Sequence, residues 1–412
     1  MKPVRSFQLY SVTFATSKII AEEQMADFKN SFQKLKSYCE KENFKGWDPY
    51  DGLNSKVFNV VPVISKKRFF RLAWIQVFKR SPINLRKITS VEKGYNAKGL
   101  GLFITGYCNL YKNDPQPAYL EKINQLSEQV LKMQSEGYSG ACWGYNFDWQ
   151  ARAFFQPKGM PTVVATTFIT ESLLEAYKIT KNETYLETAK SATQFVLKDL
   201  NRTFDDKGNF SFSYSPLDKT QVFNASLLGA KLLSLVYEFT KEENLLTEAK
   251  KVVQYAADFQ QKNGAWAYGT LPYHQWVDNF HTGYNLECIY TYQKVSGDTS
   301  FSKNIEKGLE YYLKTFFTEE GISKYYNNSI FPIDIHAPAQ LVVTLSKLEV
   351  LQKNKALVDK VLTWTVNNMQ SDKGFFQYQK NKYFNSNIPY MRWAQAWMFY
   401  AFSYYFLETN ER

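Results

Sequence analysis

A glycine followed by a short aromatic-rich patch recurs five times along this chain, and that repeat constrains the fold more than any other feature. The patches read Gly140-Ala-Cys-Trp-Gly-Tyr, Gly208-Asn-Phe-Ser-Phe-Ser-Tyr, Gly264-Ala-Trp-Ala-Tyr, Gly321-Ile-Ser-Lys-Tyr-Tyr and Gly374-Phe-Phe-Gln-Tyr, at intervals of 68, 56, 57 and 53 residues. A period of this size marks a repeat architecture in which each unit buries its apolar face against its neighbours. Each patch alternates like a short strand. Each is followed by a segment of small and apolar residues, starting near Pro161, Asn224, His281, His336 and Met391; a sixth begins near Asn96 and runs through Gly99-Leu-Gly-Leu-Phe-Ile-Thr-Gly-Tyr. Segments so poor in charge read as helices buried all round.

Between them lie charged, amphipathic segments at roughly 115–135, 183–200, 243–262, 299–317 and 355–370, with 22–43, 66–80 or both supplying a sixth. Turns from buried to charged helix are short and polar (Thr180-Lys-Asn-Glu, Thr240-Lys-Glu-Glu, Ser296-Gly-Asp-Thr), whereas the returns are long and aromatic. Six buried helices inside six charged ones close most simply into an all-α ring, the (α/α)6 toroid of six helical hairpins, with short β-like patches in the long loops at one end. The expected division is an N-terminal part over 1–84, containing helices and a Tyr50-Asp-Gly-Leu-Asn-Ser loop, packed on a toroid over 85–412.

Composition narrows the class of partner. With 44% hydrophobic and 22% charged residues the chain has a globular balance. Fifty Lys and Arg against 39 Asp and Glu leave a net charge of +11, which favours an anionic partner. Aromatic residues reach 17%, enough for a large core and a stacking surface. No run of apolar residues is long enough to span a membrane, so membrane insertion is not expected. Met1–Ile20 has no continuous apolar stretch, and Cys39, Cys108, Cys142 and Cys288 form no CxxC pair, which points to reduced thiols and a cytoplasmic protein. The basic runs Ser65-Lys-Lys-Arg and Phe78-Lys-Arg read as solvated faces without a nucleic-acid motif around them, so no nucleic acid partner is expected. Gly94-Tyr-Asn-Ala-Lys-Gly lacks the ending of a phosphate loop, and no cofactor or metal is expected. The oligomeric state is not readable.

The repeat spacing and the inner–outer helix alternation over about 85–410 resemble the six-hairpin glycosidase and terpenoid-cyclase toroid superfamilies. Trp47-Asp-Pro-Tyr-Asp-Gly-Leu-Asn-Ser together with Lys98-Gly-Leu-Gly-Leu-Phe is similar to a group of prokaryotic toroid proteins associated with surface-polysaccharide gene clusters. The resemblance implies a carbohydrate setting and transfers no catalytic residue.

In such a ring the inner helices point the same way, and their positive N-termini gather at the long-loop end. The windows 140–161, 208–224, 264–281, 321–337 and 374–392 contain all three histidines of the chain, His274, His281 and His336. The densest run is Tyr273-His-Gln-Trp-Val-Asp-Asn-Phe-His-Thr-Gly-Tyr-Asn. Asp278, His281, Tyr284 and Asn285 are neighbours there, with His281 and Tyr284 on one helical face. Asp278 also reads as a plain helix cap. The expected catalytic set is His281, Tyr284, Asp278 and Asp148. The expected substrate contacts are Trp143, Tyr145, Trp149, Arg152, Trp266, Tyr268, His274, Trp276, Asn285, Asp334, His336, Arg392 and, from the upstream loop, Asp51.

The pattern suits an acidic, uronate-containing oligo- or polysaccharide. In lyase or C5-epimerase chemistry His281 and Tyr284 serve as base and acid, while Arg152 and Asn285 hold the carboxylate. In hydrolysis Asp148 pairs with Asp278 or Asp334. A non-catalytic glycan-binding protein of a polysaccharide pathway keeps the rings and needs no acid or base. A terpenoid-cyclase reading needs a DxDD motif, which the chain lacks.

Overall fold

A computed structural model describes the backbone of residues 5–151 and 155–409, with side chains from residue 22 onward. Fifteen α-helices dominate the described residues. They are α1 (Arg5–Lys41), α2 (Lys56–Asn59), α3 (Pro62–Ser65), α4 (Arg68–Arg80), α5 (Ala97–Asn113), α6 (Pro117–Leu131), α7 (Val163–Thr180) and α8 (Glu183–Gln194), then α9 (Phe223–Thr240), α10 (Glu243–Asp258), α11 (Asn279–Ser296), α12 (Ser302–Phe316), α13 (His336–Lys347), α14 (Lys355–Met369) and α15 (Ala396–Thr409). Small antiparallel pairs decorate the long loops: β1 (Trp149–Gln150) with β2 (Phe155–Gln156), β3 (Arg202–Phe204) with β4 (Phe210–Phe212), and β5 (Ile333–Asp334) with β6 (Gln379–Lys380) and β7 (Asn385–Ser386).

The inner helices pack in sequence, α5 on α7, α7 on α9, α9 on α11, α11 on α13 and α13 on α15, and α15 returns to α5. That last contact closes the ring, and the chain has the (α/α)6 toroid expected of it. Inner helices are buried on every side; α7 is buried almost continuously from Val163 to Leu174. Side-chain caps set their starts where the loops hand over: Asn96 accepts from the Gly99 amide, Thr162 from Ala165 and Asp278 from His281. The short turns end α7, α9 and α11 in the left-handed region at Lys181, Lys241 and Gly297.

The sixth outer position belongs to α1. It packs on α14 and α15, with Phe32 against Phe399, Phe402 and Phe406. The segment set apart at 1–84 thus lends the ring a helix, whereas α4 lies against the loop of residues 51–54 and β1.

The repeat glycines have a physical reason. A Cβ at Gly264 would overlap the Lys307 carbonyl of α12, and one at Gly374 would overlap the Lys34 carbonyl of α1. Gly140 and Gly321 meet Ser191 and Lys360 in the same way. The glycine is where each loop presses on the backbone of the next outer helix. Gly208 differs: it sits in the β3–β4 turn with open space around it.

At the ring axis, Lys231 of α9 pairs with Glu171 of α7 at 2.7 Å and with Glu287 of α11. Lys347 of α13 reaches Glu171 at 2.5 Å. Burial alone would push the Glu171 carboxyl up, but Lys231 and Lys347 together hold it at about 2.

Two stability outcomes follow. Gly374→Ala, at φ 91° and facing the Lys34 carbonyl, should cost about 2 kcal/mol or more in urea unfolding. Lys231→Met strands the Glu287 carboxylate and should cost about 3–5 kcal/mol by the same assay.

Candidate active site

A cavity of about 400 Å³ opens at the long-loop end of the ring. Its walls come from inner-helix starts, the repeat loops and two upstream elements, the loop carrying Tyr50 and helix α4.

Asp278 organises one wall. Its Oδ1 accepts from the His281 amide at 2.9 Å, which caps α11. Its Oδ2 lies 2.7 Å from His281 Nδ1 and accepts from Trp276 Nε1 at 3.1 Å. The carboxylate therefore serves as cap and as ring orienter with different oxygens. A carboxylate acceptor places the imidazole proton on Nδ1 and leaves a lone pair on Nε2. His281 lines the cavity, and among the described residues Nε2 has no hydrogen-bond partner.

Beside it stands a second constellation. Tyr284 Oη lies 3.0 Å from His336 Nε2 and 3.3 Å from Lys98 Nζ. Burial raises the Tyr284 phenol well above its ordinary range, so it stays protonated. Burial, reinforced by the neighbouring basic groups Lys98, His281 and Arg392, holds His336 well below the usual imidazole range, so its ring is neutral. Lys98 lies 4.2 Å over Phe168 and 5.3 Å over both Tyr284 and Trp397. No carboxylate pairs with it among the described residues. Burial, reinforced by Arg392, holds its ammonium well below the usual lysine range. Two buried polar atoms on the cavity wall, His336 Nδ1 and Asn224 Oδ1, have no partner among the described residues, which suits a ligand that supplies one.

Aromatic rings complete the enclosure. Tyr268 stacks on Trp276 at 4.5 Å, Tyr145 on Phe147 at 5.3 Å, and the Tyr145 and Tyr214 hydroxyls meet at 2.9 Å. Trp276 and Tyr273 stand partly exposed at the rim. Such faces suit a sugar ring.

The cavity brings together His281, Tyr284, Asp278, Tyr145, Trp149, Tyr268, His274, Trp276, His336 and Arg392. Several expected site residues stand elsewhere. Trp143 and Trp266 are buried and donate to the Val130 and Ala256 carbonyls of outer helices, so they anchor loops to the ring. Asp148, just before β1, accepts from the Lys158 amide just after β2 at 2.7 Å and stands outside the cavity. Asn285 is buried in the ring and does not reach the cavity. Asp334 is fully buried and accepts from the His336 amide, Gln379 Nε2 and Trp393 Nε1, which fixes the ring of Trp393 at the wall. Asp51 pairs with Arg86 at 2.6 Å and points away. Arg392 lines the wall, but its guanidinium is held by Asp48 through Nε at 2.5 Å and Nη2 at 2.8 Å. Arg152 lies outside the described residues.

With Asp148 and Asp334 turned elsewhere, Asp278 is the single carboxylate on the wall among the described residues. The pair required for two-carboxylate hydrolysis is not assembled.

Sequence reasoning missed Lys98 and Lys79 and, in the upstream loop it expected at the site, put Asp51 in contact where the structure puts Tyr50. Lys98 carried a signal, as a lysine one residue inside an otherwise apolar inner helix. Tyr50 and Lys79, joined by a 3.0 Å hydrogen bond, come from upstream segments with no periodic tie to the ring.

No protein-family profile matches the chain, and no curated protein matches it. Among solved structures it is similar to cellobiose 2-epimerase from Bacillus thermoamylovorans, at 13% identity and TM-score 0.61 over 77% of this chain and 88% of that one. It is similar to a family 76 α-mannanase from Bacteroides thetaiotaomicron, at 14% identity and TM-score 0.58 over 75% and 86%. An unsaturated glucuronyl hydrolase specific for heparin matches at 11% identity and TM-score 0.59 over 93% and 96%. These neighbours are carbohydrate-active enzymes, and at such identities the shared property is the six-hairpin toroid fold.

The lowered Lys98 value has a measurable consequence. The unfolded chain keeps that proton up to about pH 10.4, while the folded chain has lost it at a lower pH. Between those points the unfolded state binds one more proton, so stability rises with pH by about 1.4 kcal/mol per unit. Lys98→Met should flatten this slope and stabilise the ligand-free protein near neutrality, as read from urea midpoints across that range.

Proposed function

We propose that this protein is a carbohydrate-active enzyme that removes the C5 proton of a uronate residue in an acidic glycan, as a lyase or an epimerase. The observation that carries the reading is the pairing of an oriented imidazole with an unpaired lysine across one aromatic cavity. His281, held by Asp278, presents Nε2 as the base. Lys98 lacks an anionic partner among the described residues, and a uronate carboxylate would supply one and favour its charged form. The ammonium then neutralises charge that builds on the carboxylate as the C5 proton leaves.

In the lyase course His281 takes the C5 proton, the C–H electron pair becomes the C4–C5 double bond, and the C4–O bond breaks. Tyr284, protonated and hydrogen-bonded to His336, gives its proton to the departing oxygen. In the epimerase course the C5 carbanion takes a proton from solvent on its opposite face, and the C4–O bond stays intact. Lys98 takes the carboxylate contact that Asn285, buried away from the cavity, was expected to share. The second imidazole, His336, favours one other reading: proton exchange at C2 of a reducing sugar, the position named for the cellobiose 2-epimerase neighbour.

Proton NMR in D2O with uronate oligosaccharides separates these. Loss of the C5 signal supports the proposal, and new vinyl signals specify the lyase. Exchange at C2 of cellobiose with none at C5 selects the second reading. Line broadening without exchange leaves a glycan-binding protein and refutes both chemistries. His281→Gln should lower the exchange rate about 10²–10⁴-fold while glycan binding persists.

A further inference from the structure

We propose that the face built by α2, α3 and α4 docks on an anionic lipid bilayer, beside the mouth of the cavity. This goes beyond the sugar chemistry and does not depend on it. Residues 56–91 contain nine Lys and Arg and no Asp or Glu. Without them the chain's 50 basic residues fall to 41 against 39 acidic ones, so nearly all of its net charge sits in this segment. The same segment turns apolar side chains outward: Val60, Val63 and Phe69 are 76%, 73% and 74% exposed.

Helix α4 shows how this arises. Ile75 and Phe78 are buried, and Trp74 donates to the Gly52 carbonyl, so one face is committed to the protein. Phe69, Ala73, Val77 and Arg80 follow at four-, four- and three-residue steps on the other face, all exposed. The apolar surface continues beyond the helix. Arg80 and Gln76 share a second cavity, of about 340 Å³, with Phe384, next to the 85% exposed Tyr383. No helix among the described residues is long and apolar enough to cross a membrane, so the contact is interfacial.

Charge selects the occupant. A second copy of this chain would bring the same cations against themselves in a twofold contact. Protruding Val, Ile and Phe side chains ringed by exposed Lys66, Lys67 and Arg80 instead match a surface with anionic headgroups over an apolar layer. Because Leu72, Gln76 and Lys79 of α4 also line the first cavity, docking sets that opening at the bilayer surface.

The test is co-sedimentation of the full chain with phosphatidylcholine vesicles, with and without about one-third phosphatidylglycerol. The expected result is binding to the anionic vesicles that weakens as salt is raised, with little binding to the neutral ones. Lys66→Gln with Lys67→Gln should weaken it about fivefold per charge removed. Phe69→Ser with Val63→Ser should weaken it also; both pairs are exposed, so circular dichroism should match the parent. Absence of vesicle binding, equal binding to both lipids, or parental binding by both double variants overturns the proposal. So does a dimer on gel filtration that Phe69→Ser with Val63→Ser dissociates.

Discussion

Two lysines approach one phenylalanine, and the difference between them organises the molecule. Lys231 lies 5.9 Å from the Phe168 ring and Lys98 lies 4.2 Å from it. Lys231 sits at the ring axis between Glu171 and Glu287, and its charge is satisfied there. A buried cation repays its desolvation only with such partners. The axis is therefore closed by a charge network that ties α7, α9, α11 and α13 together. Lys98 has no such partner among the described residues, and burial holds its ammonium well below the usual lysine range. Glu171 and Glu287 are committed at the axis, and Lys98 stands in the cavity where an incoming anion can pair with it.

The same economy of groups appears at the cavity wall. Asp278 starts α11 and orients His281, so the register of the helix and the tautomer of the imidazole are set by one side chain. Asp334 starts α13 beneath His336 and aims Trp393. Asp48, through Arg392, fastens the upstream loop to the last inner segment, and Arg86 holds the same loop from below through Asp51 and the Asp48 carbonyl. Tyr50 is delivered to the cavity by this clamp. Helix capping, loop anchoring and site geometry share residues, which is why so many polar groups of the long loops are buried without facing a ligand.

The bland and the chemical readings of a residue were separable only in space. Trp143 and Trp149 are six residues apart in one loop, yet one anchors to an outer helix and the other lines the cavity. Asp334 and His336 are two apart, and only the histidine reaches the cavity. Periodicity assigns such residues to the right loop and not to the right side of it, because the side is chosen by which helix each loop docks on. The upstream lysine-rich segment was read as solvated for the same reason. Its charge was legible, but the outward direction of its Val and Phe side chains depends on which face of α4 the ring leaves uncovered.

The amino-acid sequence by itself determined the helical hairpins, their inner or outer character, the glycine that opens each repeat patch, and the end of the ring where the histidines collect. These rest on local periodicity, capping and steric fit, which operate within one repeat. The tertiary structure alone decided that α1 completes the ring, that Arg392 is committed to a carboxylate 344 residues away, and that Lys98 meets Tyr284 across 186 residues. Contacts of that span have no signature in spacing, because they form only when the ring closes and brings its first and last helices together.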